Sequence, residues 1–118
     1  MPYTSTWFIS SAVPPAPTNV KLRHISPTAI EVSWDPPKFP GIGGYQVYYN
    51  MFAIPDMDKW QSVEIGPYTV TDINGLESHT VYAVRVRAKS VDGRYGNFSD
   101  IVATNSLSQG KFIAFIKL

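Results

Sequence analysis

Few residues in this 118-residue chain have the types and spacing that catalysis requires. The two histidines, His24 and His79, are far apart in the sequence and near the ends of predicted strands, which favours solvated surface over a catalytic pair. No Gly-x-Ser-x-Gly or His-Glu-x-x-His motif and no phosphate-binding loop occurs, and the glycines of "GIGGYQ" lead into a predicted strand rather than a helix. The sequence therefore predicts no catalytic residue, no cofactor and no enzyme activity.

Metal binding has equally little support. The chain has no cysteine, so it has no disulfide framework, no thiolate metal site and no cysteine nucleophile. Asp56 and Asp58 resemble the beginning of a calcium loop, but Gln61 and Pro67 stand where that loop needs its glycine and its final glutamate. We interpret this segment as a solvated loop and predict no metal site.

The bulk composition indicates one domain without a strongly charged partner. Hydrophobic residues make up 44% of the chain, and the formal charge is +1. A nucleic-acid-binding domain is usually strongly basic along one face, so no nucleic acid is expected, whereas a weak polyanion contact of the heparin type stays open. The N-terminus lacks the pattern of a signal peptide, and the apolar run "KFIAFIKL" is too short to span a membrane, so this chain is not expected to insert into one.

The elements that would position any surface site are short strands. The stretch from Tyr82 to Lys89 alternates strictly, with apolar residues on one parity and Arg85, Arg87 and Lys89 among those on the other. Side chains on a strand point to opposite faces with period two, so this strand has an apolar face and a basic face. Seven such candidate strands occur at regular spacing between turns rich in proline and glycine, and no segment has a helical period. The pattern predicts an all-β sandwich.

The order of particular residues within these strands identifies a family. The pieces are "PPAP" from Pro14, Val20, "IEVSWDPP" from Ile30, "GYQVYY" from Gly44, Trp60, "INGL" from Ile73, "TVYAVRVRA" from Thr80, Gly93 and "FS" from Phe98. Together they resemble a fibronectin type III domain over residues 14–104. Residues 1–13 and 105–118 are then tails, and we interpret the C-terminal one as disordered or non-native.

This resemblance implies a seven-stranded immunoglobulin-like sandwich, with strands A, B and E in one sheet and C′, C, F and G in the other. It implies that Trp34 is the central core residue and that Tyr82 forms a tyrosine corner, its hydroxyl bonding to the backbone of the preceding crossover. Leu76 would be an apolar plug beneath that crossover, although "Asn74-Gly75" alone would suggest a two-residue hairpin. Gly43 and Gly44 are expected to turn the chain into the third strand.

The same strand order predicts a surface on the outer face of the larger sheet. Parity places Trp60, Glu64, Gln46, Tyr48, Arg85, Arg87 and Lys89 there. An aromatic ring beside guanidinium groups is the arrangement of a cation–π stack, so we predict that the basic face stacks on Trp60 rather than serving an acidic partner. For protein binding the candidate residues are Tyr48, Trp60, Arg85 and Arg87 on this face and Gly93, Arg94 and Tyr95 in the loop between strands F and G.

The resemblance implies a non-catalytic interaction or spacer module of a multidomain extracellular adhesion or signalling receptor, similar to modules of guidance receptors and receptor tyrosine phosphatases. Its partners would be a protein ligand or neighbouring domains, and Asn97 in the sequon "NFS" is a candidate glycosylation site. Two alternatives stay open. One is a structural spacer of an intracellular filament protein. The other is the ligand-binding half of a cytokine-type receptor, since Tyr95 to Ser99 resembles a degenerate Trp-Ser-x-Trp-Ser box.

Overall fold

The computed structural model describes residues 12–51 and 59–104, which form two antiparallel sheets. The strands are β1 (Thr18–Ser26), β2 (Ala29–Asp35), β3 (Ile42–Met51), β4 (Gln61–Ile65), β5 (Val70–Ile73), β6 (Tyr82–Ser90), β7 (Tyr95–Phe98) and β8 (Val102–Ala103). One sheet has the order β1-β2-β5, and the other has the order β4-β3-β6-β7, with β8 also paired to β6. The predicted all-β sandwich and its division into sheets A-B-E and C′-C-F-G are confirmed. The segment with Asp56 and Asp58, which was predicted to be a solvated loop, lies outside the described residues, as do residues 1–11 and 105–118 of the tails.

The sequence predicted a single last strand, and this is wrong because the structure has two short strands there, β7 and β8. Ser99 stands between β7 and β8, and its backbone N–H donates to the Val86 carbonyl at 2.8 Å. Its hydroxyl accepts the Val86 N–H at 3.0 Å, so a side chain fills a position that a carbonyl would occupy in a regular ladder. The chain leaves the sheet at Asp100 and Ile101, both exposed, and β8 then pairs with Ala83 and Val84.

The glycines before the third strand act differently from the expectation. The residue that turns the chain is Gly41, whose φ of 84° favours glycine. Gly43 and Gly44 already lie within β3, and a Cβ on Gly44 would come within 2.4 Å of the Ile65 carbonyl oxygen. Gly44 is therefore needed for the close approach of β3 and β4 rather than for a turn.

The core lies between the sheets and consists of the inward parity of each strand. Its fully buried members include Ile30, Val32, Tyr45, Val47, Val84 and Val86. Trp34 packs against Tyr45 edge-on, with the ring centroids 5.1 Å apart, which joins the two sheets at their centre. Aromatic pairs in this geometry add stability beyond the area they bury.

The connection from β5 to β6 crosses from one sheet to the other. Leu76 is buried under it, and its N–H donates to the Thr28 carbonyl at 2.9 Å. The Tyr82 hydroxyl accepts the Glu77 N–H at 2.9 Å, which is the hydrogen bond of a tyrosine corner. This crossover fixes the beginning of β6 and therefore the parity of every side chain that follows on that strand.

Candidate surface of β3, β6 and β7

The alternation of β6 produces one buried and one half-buried row. Val84 and Val86 are fully buried, while Arg85 and Arg87 lie on the outer face. The neighbouring strand β3 places Tyr48 opposite Arg85 and Gln46 opposite Arg87. The long cationic side chains of β6 thus share the outer face with a ring and an amide from β3.

A bulge in β7 brings two further rings to this face. Along β6 the register moves two residues from Arg87 to Lys89, but along β7 it moves three, from Phe98 to Tyr95. The extra residue in β7 lets Tyr95 and Phe98 both face outward, although residues three apart on a regular strand point to opposite sides.

The chain before β1 holds the bulge in place. The Asn97 N–H donates to the Pro14 carbonyl at 3.2 Å. A Cβ on Gly96 would come within 2.1 Å of that carbonyl oxygen, so only glycine permits this approach.

The rings and guanidinium groups interleave. The Arg85 guanidinium carbon lies 3.9 Å from the Phe98 ring centre, and that of Arg87 lies 4.1 Å from the Tyr95 ring and 4.6 Å from the Phe98 ring. Tyr48 meets Phe98 edge-on at 5.2 Å. We call Tyr48, Arg85, Arg87, Tyr95 and Phe98 the arginine–aromatic face. Distances under about 6 Å from a cation to a ring centre are those of cation–π attraction.

Two cations of the outer face have polar partners. The Arg87 Nε donates to the Gln46 Oε1 at 2.8 Å. Lys89 lies 3.5 Å from one carboxylate oxygen of Glu64, and the Tyr95 hydroxyl donates to the other. That hydrogen bond, with a smaller contribution from burial, raises the pKa of Tyr95. Glu64 therefore connects β4 to β7 across the whole sheet.

Arg85 differs from these two cations. Its Nε is buried and has no hydrogen-bond acceptor among residues 12–51 and 59–104, where no carboxylate pairs with its guanidinium either. Burial lowers the pKa of Arg85, and the adjacent charge of Arg87 lowers it further. The Arg85 guanidinium packs on the Phe98 ring, and a ring contact leaves its hydrogen-bonding capacity unused.

The turn between β6 and β7 lies at one end of this face. Gly93 has a φ of 92°, and its N–H donates to the Ser90 carbonyl at 2.9 Å. Asp92 accepts from the Ser90 hydroxyl and, at 3.3 Å, from the Arg94 Nε. The Ser90 hydrogen bond lowers the pKa of Asp92, and Arg94 contributes to the same direction. Gly93 and Arg94 are exposed in the turn, whereas Tyr95, predicted in the loop, is the first residue of β7 because it pairs with Lys89.

Two other predicted residues lie nearby. Trp60, the predicted stacking ring, is half-buried directly before β4. Asn97 is exposed on β7, with its backbone in the bulge described above. Phe98, which contacts both arginines, was not predicted as a site residue. The signal for it is its spacing of three from Tyr95 in the degenerate Trp-Ser-x-Trp-Ser pattern.

The described residues contain no group of three or more His, Asp or Glu side chains that could hold a metal ion. Over the same ranges no helix is long and apolar enough to cross a membrane. His24 and His79 are both exposed and lie on different elements. The turn between β6 and β7 borders a cleft lined by Phe39, Pro40 and Val91, of which Val91 is 73% exposed.

Comparison with known proteins identifies the family of this domain. The model of the fibronectin type III domain matches residues 15–105. The chain belongs to the fibronectin type III family. Fibronectin type III domains are non-catalytic modules.

Similar modules occur in receptors and phosphatases. The chain is 33% identical over 75 residues to tyrosine-protein phosphatase Lar of Drosophila melanogaster, covering 62% of this chain and 4% of Lar. It is 37% identical over 94 residues to neogenin of Rattus norvegicus, covering 80% of this chain and 6% of neogenin. The crystal structure of the FN5 domain of Drosophila Lar superposes with a TM-score of 0.64 at 26% identity, covering 77% of this chain and 94% of that one. The chain thus spans a small fraction of the curated relatives it matches.

Proposed function

We propose that this chain is a protein-interaction and spacer module in the extracellular part of a multidomain adhesion or signalling receptor. The observation that supports this most directly is the similarity of a single module to segments of Lar and neogenin, each many times longer than the match. A module of this kind acts by surface contact with a ligand or with neighbouring domains. The fold alone does not give function, so the experiment must address the native protein.

The sequon provides that experiment. Asn97 is exposed, and its sequon is the only Asn-x-Ser/Thr sequence in the chain. In the natural full-length protein expressed in animal cells, we expect an antibody to this module to label intact cells. Digestion with an N-glycosidase should reduce the mass of the proteolytic fragment that contains Asn97.

Asn97→Gln should abolish that shift, and Asn74→Gln, a change at an exposed asparagine outside any sequon, should leave it unchanged. Labelling only after permeabilisation, together with an unmodified Asn97, would refute the extracellular assignment and favour the intracellular filament spacer.

A second candidate is supported by one observation. The interleaved rings and guanidinium groups of Tyr95, Arg87, Phe98 and Arg85 are the arrangement that the Trp-Ser-x-Trp-Ser box of a cytokine-type receptor implies. If this module were the ligand-binding half of such a receptor, Arg85→Ala and Trp60→Ala would each weaken ligand binding by the full-length receptor. Unchanged ligand binding by both variants would eliminate this candidate.

A further inference from the structure

On the arginine–aromatic face, two side chains that carry hydrogen-bond donors lie side by side. Arg85 on β6 is directly opposite Tyr48 on β3 in the antiparallel register. Side chains in that position have Cβ atoms about 5 Å apart. The Arg85 Nε has no hydrogen-bond acceptor within the described part of the chain. Tyr48 is half-buried, and its hydroxyl is not among the buried unpaired atoms of those residues.

The neighbouring cations differ because their acceptors come from the domain itself. Arg87 donates to Gln46, and Lys89 pairs with Glu64. Arg85 is the first of these three cations along β6, and it is the one whose guanidinium has no acceptor among the described residues. The Arg85 Nε itself is buried, so an acceptor from outside the domain would meet the terminal guanidinium nitrogens, which are not among the buried unpaired atoms of the described residues. A ligand can bind these nitrogens without displacing an acceptor supplied by the domain.

We propose that Arg85 and Tyr48 form a docking site for a carboxylate of an acidic protein surface. This rests on the proposed function as an interaction module and names the chemistry of the partner, and it departs from the sequence-based prediction that the basic face does not serve an acidic partner. The guanidinium fork matches the two oxygens of a carboxylate, and the tyrosine hydroxyl supplies a further donor to one of them. The centre of the Phe98 ring lies 3.9 Å from the Arg85 guanidinium carbon, so the ring packs against that fork and restricts its position.

A protein partner fits this surface better than a polysaccharide does. The site combines tyrosine, phenylalanine and arginine on a flat sheet, the residue types that are enriched in the centres of protein interfaces. A sulfated polysaccharide would require an extended row of available cations. The other basic group of the described residues, Lys21 and Arg23, lies on β1 in the opposite sheet, and Arg23 is paired with Glu31.

The proposal can be tested by nuclear magnetic resonance on the 118-residue chain labelled with ¹⁵N. The probes are an acetylated, amidated hexaglutamate peptide and, separately, a heparin hexasaccharide. We expect the peptide to shift the Arg85 Nε–Hε resonance and the amides around Tyr48 and Arg85 more than any others. Arg85→Gln should weaken peptide binding about tenfold, because one charge-assisted bidentate contact is lost.

Two conservative variants keep the test valid should Arg85→Gln impair folding. Tyr48→Phe removes only the hydroxyl and should weaken binding about threefold. Arg85→Lys keeps the charge but loses the fork, and a reduction of about threefold is expected. Lys21→Gln removes the same charge from the opposite sheet and should leave peptide affinity unchanged.

The following outcomes would overturn the proposal. If Lys21→Gln weakened peptide binding as much as Arg85→Gln, the effect would be one of net charge rather than of a specific site. If both conservative variants kept the parent affinity, Arg85 and Tyr48 would not form the binding site. Heparin binding at Arg85 more tightly than the peptide would assign the surface to a polysaccharide. Shifts of the same resonances on raising the protein concentration, without a probe, would assign it to a second copy. None of these results depends on whether the parent protein is extracellular, so the proposed function stands or fails separately.

Discussion

The outer faces of the two sheets have the same alternating sequence pattern, but their arginines differ in burial and in their partners. On the β1-β2-β5 sheet, Arg23 opposes Glu31, and Glu31 opposes Asp72. The Arg23 side chain is 66% exposed and makes a bidentate contact of 3.1 Å to Glu31. That hydrogen bond raises the pKa of Arg23, but its charge remains in water. A pair of this kind contributes little to stability.

On the other face the arginines pack against rings and are half-buried. The difference does not come from β6, because β1 and β2 also alternate. It comes from β7, whose bulge directs Tyr95 and Phe98 to the same side. An alternating strand therefore gives a solvated face by default, and a neighbouring strand decides whether rings cover it.

Gly96→Ala should have the largest effect, because it removes the bulge on which this difference depends. The added Cβ would lie 2.1 Å from the Pro14 carbonyl oxygen, where backbone must move. We expect the free energy of unfolding to fall by about 3 kcal/mol. Urea denaturation measures this loss, and hydrogen exchange of the Asn97 amide should quicken because its bond to Pro14 is broken.

Gly75→Ala is the matched control for that prediction. Gly75 has a φ of 75° but nothing near the position of a Cβ, so only backbone strain of about 1 kcal/mol is expected. Equal losses for the two variants would mean that the contact with Pro14 is not what fixes β7.

Phe98→Ala removes the ring that both arginines share and should cost about 2 kcal/mol, less than a fully buried phenylalanine because Phe98 is half-buried. Val70→Ala on the outer face of β5, at a position 47% exposed, should change the free energy of unfolding by less than about 0.5 kcal/mol. Thermal unfolding of both variants measures the contrast. Similar losses would show that the two faces do not differ in packing.

Much of this molecule could be predicted from sequence because the signals were local and periodic. The alternation around Val84 and Val86 places a strand and its buried face without any knowledge of neighbours. The division of the last strand at Ser99 could not be predicted, because it depends on a hydroxyl that replaces a carbonyl opposite Val86. Likewise the ring over Arg85 depends on a bulge held by Pro14, about 80 residues away in sequence, and such tertiary contacts override local parity.

A smaller effect is expected for the coupling energy between one pair of interacting side chains on each face. A double-mutant cycle of Arg87→Gln and Tyr95→Leu should give a coupling energy of about 1 kcal/mol, since the guanidinium lies 4.1 Å from the ring centre and is partly desolvated. The corresponding cycle of Arg23→Gln and Glu31→Gln should give a smaller value that vanishes in 1 M salt, where the Debye length is about 3 Å. A salt-sensitive coupling on the ring-covered face as well would indicate that its arginines interact with solvent-exposed charge.

The turn beside the arginine–aromatic face should give the smallest effect, and one that depends on pH. The pKa of Asp92 is lowered in the folded state, chiefly by the Ser90 hydroxyl. A carboxyl group with a depressed folded-state pKa stabilises the fold above its unfolded pKa, which is about 4, and the contribution is lost as the pH falls through the folded-state value. Asp92→Asn should therefore be slightly less stable than the parent at pH 7, and the difference should disappear in acid. Urea denaturation from pH 2 to pH 7 measures this, with Asp72→Asn on the opposite sheet as the control. A difference that persists at pH 2 would mean that the Asp92 side chain stabilises the turn through a hydrogen bond that asparagine does not reproduce, rather than through its charge.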